Sequence, residues 1–181
     1  MSLAVGLDVS ELRLGWAVVD YDTQEPLALG VEDLRKRDGG WPEEQVIVAV
    51  RHVLGVVEGL GRDREEVAVV GIEDAYHGPS IKGTIRQAGV IGMATAAAQM
   101  IFGGQATCWP IPNGTWLSPL HVKPASRKRE DVKAATGEWA TATLLEHRWP
   151  ADAAINVAED AADALGIATA CALLTVKREA A

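Results

Sequence analysis

LAVGLD (residues 3–8) and LGWAVVDY (residues 14–21) are short runs rich in apolar, β-branched and aromatic residues, separated only by VSELR. Five residues are too few for a helix, so the two runs read as strands paired in an antiparallel hairpin. Pro26 to Val31 reads as a third strand beside them. The first run ends on an acid, Asp8.

Further along, Arg35 to Trp41, with glycines at 39 and 40, breaks the strand pattern. Pro42 then opens a segment whose Val46, Val50, Val53 and Val57 recur at helical spacing, and Gly61 follows it. That pattern predicts a helix of about 18 residues. Val67 to Ile72 is a continuous apolar run of the kind buried on both faces of a sheet, and it ends in Glu73. Ser80 to Phe102 reads as a helix with Ala88, Gly92 and Ala96 on one stripe, a surface that permits close helix approach within the monomer or across a dimer. Ala106 to Ile111 is a fifth strand. Asn113 to Trp149 is the least legible stretch, one or two helices with Ser126 as an N-cap before RKREDVK. A last helix runs from Val157 to about Lys177, with Asn156 placed to cap it and Glu159 at the capping-box position. This order predicts an α/β fold over 1–181, a single domain with a five-stranded mixed sheet, an antiparallel three-strand side and flanking helices.

Composition narrows the function. With 181 residues, 48% hydrophobic and 23% charged, the chain suits one packed core rather than a disordered or fibrous protein. Seventeen Lys and Arg against 25 Asp and Glu give a net charge of -8, so any nucleic-acid site must be local rather than the whole surface. Cys108 and Cys171 lie outside any CxxC pair, and His52, His77, His121 and His147 share no spacing. Neither a thiolate zinc site nor a disulfide framework is supported, and a reducing cytoplasm fits. The N-terminus reaches Asp8 before any long apolar run, so neither a signal peptide nor a membrane anchor is expected.

The acids carry the chemistry. If the strands ending in Asp8 and Glu73 are parallel neighbours, both carboxylates emerge at one edge of the sheet, where open α/β folds place their sites. Asp160 and Asp163 are three residues apart and share one face of the last helix. Helix-dipole preference explains Glu159 but not Asp163, almost two turns in. The helix around Asp163 is apolar on every side, as in Leu165, Ile167, Ala168, Cys171, Leu173 and Leu174, and so is buried. No Lys or Arg lies between Arg148 and Lys177 to act as a local partner. Four carboxylates gathered without a cation would repel and take up protons. Magnesium or manganese is the natural occupant, and two such ions about 3.5–4 Å apart suit phosphodiester hydrolysis.

With these residues in view the chain resembles a known family. GLDVS at 6–10 with GWAV at 15–18, IleGlu at 72–73 and DAADAL at 160–165 are similar to the three motif blocks of RuvC-type Holliday junction resolvases, in the RNase H-like superfamily. The first block alone also suits actin-like ATPases and YqgF-type nucleases. The resemblance implies an RNase H-like fold, a homodimer and magnesium-dependent nicking of opposed strands in four-way, or other branched, DNA. It makes Asp8, Glu73, Asp160 and Asp163 the metal-binding catalytic tetrad, holding two Mg2+ ions for which Mn2+ can substitute. The 113–156 connection departs from the family's usual one, and this divergence suggests a bacteriophage version.

Candidate DNA contacts follow. Tyr76, in a loop where the family often carries a junction wedge, is placed to stack on an unpaired base. Lys82 and Arg86, four apart at the start of the second long helix, are phosphate contacts. Lys123, Arg127, Lys128, Arg129 and Lys133 form the densest basic cluster, set near where RuvC-like proteins grip the backbone. Two readings stand beside a junction resolvase: a YqgF-like RNA-processing nuclease, and a non-catalytic branched-DNA-binding protein.

Overall fold

The computed structural model describes residues 2–35, 42–74, 81–103, 106–112 and 114–179. Strands β1 (Leu3–Val9) and β2 (Arg13–Asp20) form the expected hairpin, and β3 (Pro26–Asp33) adds antiparallel to β2. After helix α1 (Pro42–Gly59) the chain returns as β4 (Val67–Glu73), which pairs parallel with β1. Helix α2 (Ile81–Phe102) then leads to β5 (Thr107–Ile111), parallel to β4. The sheet order is β3-β2-β1-β4-β5. The chain finishes with helices α3 (Arg129–Glu146), α4 (Ala151–Ile155) and α5 (Glu159–Glu179).

Strand alternation sorts the two faces of the sheet. Leu3, Val5, Leu7, Leu14, Trp16, Val18, Val70 and Ile72 pack with the valines of α1 and the apolar side of α2. Ala4, Ala17, Val19 and Val69 lie on the opposite face, against α5 and parts of α3 and α4. Asp8 follows Ala4 and Gly6 at steps of two, and Glu73 follows Val69 and Gly71, so both acids share the α5 face. The central strands present glycine there because the helix lies almost on the backbone. A Cβ on Gly6 would stand 2.1 Å from the Ala164 carbonyl oxygen, and one on Gly71 would stand 2.3 Å from Cys171 Sγ. Every residue from Ala164 to Ala172 is buried, as the all-round apolar pattern requires.

Two predicted caps do not form. The N-cap of α3 is Lys128, not Ser126. Ser126 Oγ instead accepts a hydrogen bond from the Lys128 N–H at 3.1 Å and pairs with the Asp131 carboxylate, which tightens the turn two residues ahead of the helix. Asn156 closes the short helix α4, its Nδ2 donating to the Asp152 carbonyl at 2.8 Å. It is thereby taken from the capping box, α5 starts at Glu159, and Glu159 is free to pair elsewhere.

Candidate active site

Asp8 stands opposite Gly15 in the β1–β2 ladder, and the next pair inward couples Leu7 to Ile72 of β4. One step beyond that pair lies Glu73, at the same end of the sheet. Helix α5 meets this end at its first turn, where a Cβ on Gly15 would fall 2.0 Å from the Asp160 carbonyl oxygen. Gly15 is therefore the notch that lets the start of α5 close over β2 beside Asp8. Asp163, three residues on, lies on the same side of the helix.

The four acids share one electrostatic field. Asp8 is held well above the ordinary carboxylate range, first by burial, then by Glu73, Asp163 and Asp160 in that order. Glu73 is also raised by burial, opposed by hydrogen bonds from the Trp116 indole, from Asp8 and from the Gly114 backbone. Burial favours the protonated form of both carboxyls. Asp163 is pushed up to about 6, again chiefly by burial, with Lys133 drawing it down and Glu73 and Asp160 raising it.

Cations reach this cluster from distant parts of the chain. Lys133 of α3 ion-pairs with Glu159 and stands 3.8 Å from Asp163 Oδ2. Arg13 of β2, 60% exposed, lies 3.5 Å from Asp160 Oδ2. The absence of a local basic partner on α5 is thus made good from elsewhere in the fold. Among the described residues no three His, Cys, Asp or Glu side chains close round one point tightly enough to grip a metal ion as they stand. The donor set is nevertheless all oxygen, partly desolvated and mutually repelling, which is the chemistry that suits a hard divalent ion.

The basic cluster divides. Lys123, Arg127, Lys128 and Arg129 are exposed, whereas Lys133 turns inward to the acids, its side chain only 22% exposed. Its spacing of four from Arg129 suggests a shared outward face, but the acidic edge of α5 recruits it. Lys82 and Arg86 are exposed on the first turns of α2. Tyr76 lies outside the described residues, as does His77. Trp16 packs inside the sheet, with its indole N–H 3.3 Å from Glu32 Oε1. Sequence reasoning missed two site neighbours, Arg13 and Trp116. Arg13 sits at a hairpin turn with no motif, and Trp116 lies in the stretch whose pattern could not be resolved. Beside the acids, a cleft of about 290 Å³ opens between α3 and α5, lined by Lys133, Glu159 and Asp163 with Ala134, Gly137, Val157 and Ala162.

Among solved structures, the chain is similar to Thermus thermophilus RuvC, with a TM-score of 0.66 at 16% identity over 97% of this chain and 96% of that one. The T. thermophilus RuvC in complex with Holliday junction substrate matches with a TM-score of 0.65 at 16% identity, covering 98% and 96%. The yeast mitochondrial Holliday junction resolvase matches with a TM-score of 0.57 at 13% identity, covering 97% of this chain and 80% of that one. No family model and no curated protein matches the sequence. The likeness to solved structures spans nearly the whole chain, so this protein has the RNase H-like fold of the RuvC resolvases.

Proposed function

We propose that this chain is a Holliday junction resolvase, an endonuclease that nicks four-way or related branched DNA by metal-dependent phosphodiester hydrolysis. The observation that carries the reading is the convergence of Asp8, Glu73 and Asp163 on one sheet edge, where each carboxyl feels the others. A binding module has no use for acids kept in so costly a setting. Asp8, Glu73, Asp160 and Asp163 would hold two Mg2+ ions, or Mn2+ in their place. Ions bound there supply the charge neutralisation and water activation that phosphodiester cleavage needs. A cation held there would take the place of the protons that burial favours on Asp8 and Glu73, and Lys133, paired with Glu159 beside Asp163, would offer its charge to a phosphate oxygen.

A homodimer would place two such sites against opposed strands. The outer face of α2 supports it: Ile81, Ile85, Ala88, Gly92 and Ala96 are all exposed along one stripe. The small residues there do not serve packing within the monomer. Exposed Arg127, Lys128 and Arg129, with Lys123, Lys82 and Arg86, are the proposed backbone contacts, and Tyr76 is the proposed wedge. No helix among the described residues is long and apolar enough to cross a membrane. Cys108 and Cys171 are free thiols, which fits work in a reducing cytoplasm of a bacterium or a phage-infected host.

The test is a substrate panel. The purified chain is offered four-way, flap and linear duplex DNA and structured RNA, each with and without magnesium. Symmetric nicking of the four-way junction only with metal is expected. Preference for RNA, or binding without cleavage in magnesium, would overturn the reading.

A further inference from the structure

The side chain that holds Glu73 comes from outside the motif blocks. Trp116 sits in the single helical turn Thr115–Leu117 that follows β5, and is 2% exposed. Its indole N–H donates to Glu73 Oε1 at 2.9 Å. Indole nitrogen is only a donor, and a buried donor needs its acceptor, so the bond constrains both partners. The turn itself is built to aim the ring: the Thr115 N–H and Oγ1 both donate to the Pro112 carbonyl, at 3.0 and 2.7 Å. Gly114 takes the left-handed conformation (φ +73°) that lets the chain reverse there.

The far edge of the same ring is seated on α5. A Cβ on Gly166 would lie 2.3 Å from Trp116 Cζ3, so only glycine leaves room for the indole at that point of the helix. Gly166 follows Asp163 by three residues and shares its side of α5. One ring therefore spans the gap between the acid at the end of β4 and the helix that carries the other two. We infer that Trp116 is a positioning residue for metal binding, its indole N–H fixing the Glu73 carboxylate while the Gly166 notch locks that ring to the helix bearing Asp160 and Asp163. The inference rests on the proposed reading of these acids as metal ligands.

The experiment is Mn2+ titration of the intact protein without DNA, followed by the electron paramagnetic resonance signal of free Mn2+. Variants are Trp116→Phe, a benzothienylalanine at 116 that keeps the indole shape but lacks the N–H, Glu73→Ala, and Trp116→Phe with Glu73→Ala. Loss of the N–H should weaken Mn2+ binding about tenfold, the usual effect of removing a group that orients a ligand. In the Glu73→Ala background the same change should add nothing. Nicking by Trp116→Phe should recover at saturating Mn2+, shifting the metal requirement rather than the maximal rate. Wild-type affinity in both N–H-deficient proteins, an equal loss with and without Glu73, or no Mn2+ binding by wild type would each overturn the inference. Wild type that binds Mn2+ but cuts no branched DNA removes the resolvase reading and leaves the Trp116 comparison standing. Normal cleavage with unchanged affinity in the variants does the reverse.

Discussion

Lys133 Nζ lies 3.8 Å from the Asp163 carboxylate, joining helix α3 to helix α5 at the edge of the acidic cluster. The cluster thus carries its own cation, one that lowers the proton affinity of Asp8, Glu73 and Asp163 together. Lys133→Met should cost about 1–3 kcal/mol of metal-free stability at pH 7, because it leaves partly buried carboxylates without their nearest positive charge. The loss should shrink at pH 5, where Asp163 is protonated. Urea unfolding at the two pH values checks this, and an equal loss at both would show that Lys133 acts through packing alone.

Asp163 makes stability depend on pH in an unusual direction. Its carboxyl is raised from 3.8 to about 6 in the fold, so the native protein holds that proton more tightly than the unfolded chain. The stabilisation is complete below about pH 3.8 and is lost as pH rises through 6, a swing of at most about 3 kcal/mol. Metal-free protein should therefore melt higher at pH 5 than at pH 7, and Asp163→Asn should flatten the difference. Calorimetry across that window checks it; a wild-type melting temperature that climbs from pH 5 to 7 would contradict it. Added Mn2+ should reverse the trend, since the ion competes with the proton.

Gly15 is the most sensitive backbone position near the site. A Cβ there meets the Asp160 carbonyl, which is backbone and cannot swing aside. Gly15→Ala should destabilise by about 1–3 kcal/mol, as overpacking does, and should displace the start of α5 from Asp8. Thermal melting with an Mn2+ titration reads both effects; a variant matching wild type in each would mean that α5 tolerates the shift.

Arg127→Ala with Lys128→Ala tests the exposed basic segment ahead of α3. If both side chains meet phosphates, junction affinity should fall and the slope of log affinity against log salt should flatten by about 2. An unchanged slope would return the pair to bulk solvent.

Much of the fold was legible because its signals are local. The hairpin over residues 3–21 is announced by its short bridge, and the near-continuous apolar run at Val67 to Ile72 marks a central strand. Asp8 and Glu73 could be placed together on the condition that their strands are parallel neighbours, which deliver their ends to one edge, and β1 and β4 are such neighbours. Asp163 betrayed itself as an acid on a buried helix. What stayed hidden depends on long-range contacts. Lys133 looked like one more member of a basic run until α3 docked beside Glu159 and Asp163. Trp116 had no periodicity to declare it, and its role emerges only when β5 brings the turn after it alongside Glu73. Asn156 and Ser126 both sat at plausible cap positions, yet a short helix and a turn claimed them first.

The most direct measurement is cleavage of a synthetic four-way junction by wild type and by Asp8→Asn, with junction binding followed in parallel. Paired nicks by the wild-type protein in magnesium, no nicks by Asp8→Asn and near-equal binding by both are expected. Full cleavage by Asp8→Asn would take that carboxylate, and with it the shared acidic site, out of the reaction.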